Sequence, residues 1–127
     1  MKAFFIIIFS LFVQACSTSG ASHIQQAELL ALLQADNTPA IIDVRSSMEY
    51  NSGHIPGAQH IPFWQSFTSD ALDTYDKQDE LIVYCEHGPR AGIAKFAYFL
   101  AGFKNIRYLE GHMTAWRSAG LPIQKDN

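Results

Sequence analysis

The chain has 127 residues, of which 48% are hydrophobic and 17% charged, a balance typical of a folded globular protein. This length gives room for one domain, because a second core would need roughly 100 more residues. The formal net charge of −3 lacks the basic excess that binds a phosphate backbone. We therefore expect no nucleic-acid partner, and we expect a single site to carry the function.

The N-terminal segment has the pattern of a secretory signal. Lys2 supplies a positive charge, and residues 3–13 are apolar except for Ser10. This stretch is shorter than the about 20 residues that a membrane-spanning helix needs. Small Ala15 precedes Cys16, and this junction resembles the lipobox of bacterial lipoproteins, in which the cysteine is lipidated and becomes the mature N-terminus.

We predict a signal peptide at residues 1–15, a polar tether at residues 16–21 and one domain at residues 22–127. The lipobox resemblance implies a periplasmic or cell-envelope location and a membrane anchor through a lipidated Cys16. Cleavage without lipid and an uncleaved apolar start are the alternatives. The second cysteine, Cys85, has a very different sequence context, which favours separate roles over a disulfide with Cys16.

After the tether, apolar runs of strand length alternate with helical patterns. Such alternation indicates an α/β domain with a mainly parallel sheet and helices on both faces. The pattern predicts strands at residues 40–44, 81–84 and 105–109, and helices at residues 26–34, from Pro89 or Arg90 to about residue 101, and at residues 113–119.

The helix that follows residues 81–84 is expected to pack against the sheet. Its apolar residues at helical spacing predict the buried side. That predicted inner side consists of Ile93, Ala94, Phe96, Ala97 and Leu100.

The loop between residues 81–84 and this helix carries the candidate chemistry. Cys85 stands where a buried strand ends, followed by Gly88 at a tight turn and Pro89 at a helix start. Inward-pointing backbone N–H groups, the helix N-terminus and the charge of Arg90 favour an anion in such a loop. A cysteine in this field is expected to be a thiolate, the nucleophilic form, more often than its ordinary pKa of about 8.5 allows. We therefore predict that Cys85 is a nucleophile rather than a small buried apolar residue.

Three ordered motifs resemble those of the rhodanese family. Four residues separate Cys85 from Arg90, as in the active-site loop of that family. The upstream motif comprises Asp43-Val44-Arg45, Glu49-Tyr50 and Gly53-His54-Ile55-Pro56-Gly57-Ala58 and closes at Ile61-Pro62. The C-terminal motif comprises Leu109-Glu110-Gly111, Ala115-Trp116 and Gly120-Leu121-Pro122. The resemblance covers about residues 22–124 and implies a roughly five-stranded, mainly parallel α/β sheet with helices on both faces.

The resemblance also implies a sulfurtransferase or sulfur carrier, with Cys85 and Arg90 as catalytic residues. Cys85 would take a sulfane sulfur from an anionic donor, thiosulfate or a persulfide, and pass it to a thiol, cyanide or a protein acceptor. The residues implied to hold the anionic group and the persulfide are Glu86, His87, Gly88, Pro89, Arg90 and Ala91. No cofactor is implied, and no metal is expected, because the five histidines show no ligand spacing. The alternative from another class is a non-catalytic rhodanese-fold binding or regulatory module of the cell envelope.

The length of the loop bears on the competing chemistries. Phosphatase-related members of the family have a loop one residue longer, so this short loop favours sulfur over phosphate or arsenate. A redox or disulfide-exchange protein is disfavoured, because no second cysteine lies near Cys85 in the sequence to resolve a mixed disulfide.

Four further residues near the site are open to two interpretations each. A carboxylate at Glu86 opposes both a thiolate and an anionic donor, so we expect it to point into solvent, where it is screened. The alternative is that Glu86 and His87 tune the loop away from thiosulfate and toward a thiol or protein persulfide. Asp43 and Arg45 are expected to support the site by pairing with each other or with backbone, with direct substrate contact as the alternative.

The remaining candidates are expected to be structural. Glu49 and His54 are predicted to cap a helix and brace the loops, rather than to act as acid and base. The aromatic residues Phe63, Trp64 and Phe67 are predicted to lie in the core, with a place at the pocket mouth as the alternative.

Overall fold

The computed structural model describes residues 22–126. The predicted signal peptide, the tether and the lipidation site at Cys16 lie outside the described residues. Among residues 22–126, no helix is both long and apolar enough to cross a membrane.

Five strands and four α-helices alternate along the described part of the chain. The strands are β1 (His23–Ile24), β2 (Ala40–Asp43), β3 (Gln59–His60), β4 (Glu80–Tyr84) and β5 (Asn105–Leu109). The helices are α1 (Gln26–Gln34), α2 (Ser47–Ser52), α3 (Pro89–Leu100) and α4 (His112–Ser118). A 3-10 turn at Phe63–Gln65 opens the long connection from β3 to β4.

The five strands form one sheet in the order β1-β5-β4-β2-β3, and every strand pair is parallel. The predicted α/β fold is therefore confirmed, including the number of strands and their parallel direction. Because parallel strands end at the same edge of a sheet, the segments after β2, β4 and β5 meet there. The backbone N–H of Val44 donates to the carbonyl oxygen of Tyr84 at 3.0 Å, which joins the ends of β2 and β4.

Helices cover both faces of this sheet, as the alternating pattern predicted. One apolar cluster lies under α3 and includes Ile42, Val44, Leu81, Val83 and Ile106. The other lies under α1 and α4 and includes Ile41, Ile82, Leu109, Met113 and Trp116. β4 contributes alternate side chains to both clusters, so the strand that leads into Cys85 is buried on both faces.

The orientation of α3 differs from the prediction. Ile93, Phe96 and Leu100 were predicted to face the core but are 45%, 57% and 61% exposed. Apolar side chains occur on nearly all sides of this helix, so its spacing could not identify the buried side. The three alanines let the helix backbone approach the sheet closely. The residues that α3 buries are Ala91, Ala94, Ala97 and Tyr98.

The aromatic residues after β3 were predicted to lie in the core, and only Phe63 packs against it, partly buried. Trp64 and Phe67 are 55% and 58% exposed, so the prediction is wrong for both. The ring of Phe67 lies edge-on to that of Phe96, with their centroids 6.4 Å apart. Apolar side chains from α3 and from the preceding loop thus share one exposed surface.

Candidate active site

Cys85 lies directly after β4, in the loop that leads into α3, and is almost completely buried. The next turn is made by Gly88, whose φ of +133° is a conformation that other residues rarely adopt. The backbone N–H of Gly88 donates to Cys85 Sγ at 2.9 Å. The predicted loop, in which a backbone N–H points at the cysteine sulfur from just before a helix, is present.

The pKa of the Cys85 thiol is set by opposing effects. Burial raises it, but hydrogen bonds from the His112 side chain and from the backbone N–H groups of Ala91 and Gly88 outweigh burial and lower the pKa to about 7. A larger fraction of the thiol is therefore ionised at pH 7 than in an ordinary cysteine. The loop provides a nucleophile without the help of a separate base.

His112 was not predicted as a site residue. Its Nδ1 accepts a hydrogen bond from the backbone N–H of Cys85 at 3.2 Å. Twenty-seven positions separate the two residues along the chain, and they meet because β4 and β5 are neighbours in the sheet and end at the same edge. The sequence does place His112 just after a strand predicted to run parallel to β4, which was the only available signal.

Arg90 does not present a free charge to the loop, contrary to expectation. Its guanidinium donates two hydrogen bonds to Glu49, from Nη1 at 2.6 Å and from Nη2 at 2.9 Å. Chiefly because of this pair, the pKa of Glu49 is lowered to about 2. Glu49 also closes a capping box with Ser46 at the start of α2, as the predicted capping role requires. The pair therefore links the Cys85 loop to α2.

The expectation that Glu86 points into solvent is wrong. Its carboxylate accepts hydrogen bonds from Arg117 Nη1 at 2.7 Å and from Arg45 Nη1 at 3.2 Å. The hydrogen bond from Arg117 is the main reason that the pKa of Glu86 is lowered. Because Arg45 is buried away from water, its guanidinium is stabilised by a nearby carboxylate, which draws the Glu86 side chain toward it. The negative charge of Glu86, which would oppose a thiolate at Cys85, is thus compensated by the guanidinium groups of Arg45 and Arg117.

Asp43 and Arg45 form a buried pair beneath the site. Arg45 donates to the Asp43 carboxylate through Nε and Nη2, with the shortest distance 2.8 Å, and Nη2 also reaches the carbonyl oxygen of Gly53 at 2.7 Å. The hydroxyl of Tyr84 donates to Asp43 at 2.7 Å. These contacts fit the predicted supporting role, because they fix the end of β2 to β4 and to the loop after α2.

The other predicted residues occupy separate positions around the loop. His87 lies on the outer side, with Nδ1 3.3 Å from Thr114 Oγ1, and Pro89 begins α3. His54 is buried, and its Nδ1 lies 2.9 Å from the carbonyl oxygen of Tyr50, a bracing contact of the kind predicted. Within residues 22–126, no three or more His, Cys, Asp or Glu side chains form a group that could hold a metal ion.

The rhodanese-like domain family matches residues 25–119 of the chain. The chain is similar to the "Probable adenylyltransferase/sulfurtransferase MoeZ" of Mycobacterium tuberculosis, with 32% identity over 85% of this chain but only 28% of that protein. It is also similar to the thiosulfate sulfurtransferase GlpE of Pseudomonas paraeruginosa, with 30% identity over 65% of this chain and 74% of that protein.

Among solved structures, the chain is similar to the human single domain sulfurtransferase TSTD1. The TM-score is 0.67 at 26% identity, and the match covers 78% of this chain and 97% of the human chain. The family match spans β2 to β5, the Cys85 loop and α4. On its motifs, its all-parallel five-stranded sheet and this match, the chain belongs to the rhodanese-like domain family.

Proposed function

We propose that the domain is a rhodanese-type sulfurtransferase or sulfur carrier that works through a persulfide on Cys85. The observation that carries the proposal is the geometry of the loop, in which the buried Cys85 sulfur accepts a hydrogen bond from the Gly88 N–H. The same surroundings lower the pKa of the thiol to about 7. An ionised thiol is the form that attacks a sulfane sulfur. Relatives named as sulfurtransferases support the same chemistry.

The reaction has two displacement steps at sulfur. The Cys85 thiolate attacks the outer sulfur of the donor, a new S–S bond forms, and the donor's S–S bond breaks as its remainder leaves with the electron pair. An acceptor thiolate or cyanide then attacks the outer sulfur of the Cys85 persulfide. The bond to Cys85 breaks, and Cys85 leaves as a thiolate. Each step conserves charge and needs no external oxidant or reductant.

The charges around the loop bear on the identity of the donor. Every arginine that contacts this region is matched by a carboxylate, so the paired groups together carry no net positive charge. A dianion such as thiosulfate is therefore attracted only weakly to the loop by electrostatics. Binding of a thiol persulfide or a protein persulfide depends less on such attraction. We infer modest activity with thiosulfate and higher activity with a thiol persulfide. The paired groups are Arg45, Arg90 and Arg117 with Asp43, Glu49 and Glu86.

The proposal is tested by the intact mass of the protein after treatment with a sulfane donor. The chain has two cysteines, so Cys16→Ser leaves Cys85 as the only thiol and serves as the matched control. We expect Cys16→Ser to gain the mass of one sulfur atom and Cys85→Ser to gain none. If Cys16→Ser gains no sulfur from thiosulfate or from a low-molecular-weight thiol persulfide, the transfer function is wrong, and a binding or regulatory module becomes the better assignment.

We also propose that the domain acts in the cell envelope, anchored through a lipidated Cys16. The apolar residues 3–13 and the Ala15-Cys16 junction support this location. The test is incorporation of radiolabelled palmitate in a bacterial host, with Cys16→Ser as the control. Label in the parent chain that is lost in Cys16→Ser supports the anchor, and an unlabelled parent chain contradicts it.

A further inference from the structure

His112 begins α4 in a backbone conformation that few residues other than glycine adopt. Its φ is +53°, in the left-handed region, directly after Gly111, which is also left-handed. The helix start is attached to the Cys85 loop, because the N–H of Met113 donates to the carbonyl oxygen of Cys85 at 3.0 Å. The N–H of Thr114 donates to the carbonyl oxygen of Glu86 at 3.3 Å. A strained residue held by these bonds is placed with little freedom.

The imidazole ring of His112 bridges the backbone of Cys85 and the turn of the loop. Nδ1 accepts the Cys85 backbone N–H at 3.2 Å, so the proton of the neutral ring lies on Nε2. Nε2 lies at Gly88, only 3.3 Å from where a Cβ on that residue would stand. Gly88 is the residue whose N–H donates to Cys85 Sγ, so the ring and the sulfur adjoin the same turn.

We propose that His112 is a catalytic residue for sulfur transfer: its imidazole hydrogen-bonds to the Cys85 sulfur and stabilises the thiolate that leaves when the persulfide is attacked. The inference rests on the proposed function and adds a residue to it. No net proton transfer is involved, since the ring donates the same hydrogen bond before and after the S–S bond breaks. A stabilised leaving thiolate speeds delivery of the outer sulfur to an acceptor.

Other charged groups near the loop are engaged with partners of their own. Arg90 is held by Glu49 on α2, and Glu86 by arginines of β2's end and α4. The ring centroid of Tyr108, on β5, lies 6.1 Å from that of His112. The ammonium group of Lys95, on α3, lies over the Tyr108 ring, 4.4 Å from its centroid. His87 faces Thr114. Among these side chains, His112 supplies the hydrogen bond that lowers the pKa of Cys85.

The test compares His112→Gly with His112→Asn in the full-length Cys16→Ser protein, which has a single thiol. Glycine and asparagine both tolerate the left-handed backbone, so both variants are expected to fold. The first measurement is the pH dependence of Cys85 alkylation by iodoacetamide. We expect a midpoint near pH 7 in the parent and a midpoint about one pH unit higher in His112→Gly, which lowers the thiolate fraction at pH 7 about fivefold.

The second measurement is the rate at which the preformed persulfide delivers sulfur to a thiol acceptor at saturating concentration. We expect His112→Gly to slow this step about tenfold, His112→Asn to recover part of the rate through its amide N–H, and an exposed control, His23→Asn, to leave it unchanged. Folding of each variant is checked by its circular dichroism and urea midpoint. A delivery rate that is unchanged in folded His112→Gly would overturn the role.

The two proposals fail in different ways. If His112→Gly acquires and delivers sulfur at the parental rate, the role of His112 is wrong while the persulfide on Cys85 stands. If the parent acquires no sulfur from any donor, both proposals fall, because there is no leaving thiolate to stabilise. The alkylation profile is read without any sulfur donor, so it separates a shifted thiol from a failed transfer.

Discussion

Arg90 and Glu49 form a two-point ion pair across the mouth of the Cys85 loop, with N–O distances of 2.6 and 2.9 Å. The guanidinium adjoins the helix start that follows the nucleophile, and the carboxylate belongs to the capping box of α2. The pair thus joins two motifs that lie 41 positions apart. In this pair, the Glu49 carboxylate also compensates the positive charge of Arg90, which would otherwise attract an anionic sulfur donor.

Replacement of Glu49 by glutamine is expected to improve the use of thiosulfate. Glutamine can keep the capping box, because it accepts from the Ser46 N–H as glutamate does, but it leaves the charge of Arg90 uncompensated. We expect KM for thiosulfate to fall about two- to fivefold, the factor that corresponds to an accessible charge pair. The measurement is steady-state turnover with cyanide as acceptor. Glu28→Gln, which breaks a remote pair with Arg107, is the matched control and should change nothing.

The same pair predicts a dependence of stability on acid. The pKa of Glu49 falls to about 2 in the folded protein, below the about 4.3 of an unfolded glutamate. Its contribution to the free energy of unfolding is therefore complete above about pH 5 and is lost as the pH falls toward 2. Urea unfolding of the parent and Glu49→Gln should differ most at pH 6–7 and converge near pH 2. A difference that stays constant down to pH 2 would contradict the assignment.

The two arginines around Glu86 lead to a third prediction. Arg117→Gln removes the nearer partner of the carboxylate and leaves more of its negative charge beside Cys85. We expect the alkylation midpoint of Cys85 to rise and thiosulfate turnover to fall about two- to fivefold. Glu86→Gln should act in the opposite direction and raise thiosulfate turnover. A Glu86→Gln protein without this gain would argue that Glu86 does not tune the loop against thiosulfate.

The sequence predicted the elements whose pattern is long enough to read. α1 and β5 have the predicted bounds, and α3 begins at the predicted Pro89. β1 and β3 have two residues each, too few for any periodicity, so they were not predicted.

The candidate site likewise has a part that the sequence predicted and a part that it did not. The Cys85 loop is local in sequence and could be predicted from a strand, a glycine and a helix start. The pairs Arg90–Glu49 and Glu86–Arg117, and the contact of Cys85 with His112, join residues 27 to 41 positions apart. Such contacts depend on which strands are neighbours and on the rotation of each helix, and a single sequence states neither.

The rotation of α3 can be tested directly through its stability. Ala94 is fully buried against the sheet, whereas Phe96 is 57% exposed. Ala94→Leu is expected to overpack the interface and lower the free energy of unfolding by about 1–3 kcal/mol. Phe96→Ser, the larger change in hydrophobicity, should lower it by less than about 1 kcal/mol, because most of the ring is already in water. Urea unfolding at pH 7 measures both, and the reverse order would show that Phe96 faces the core.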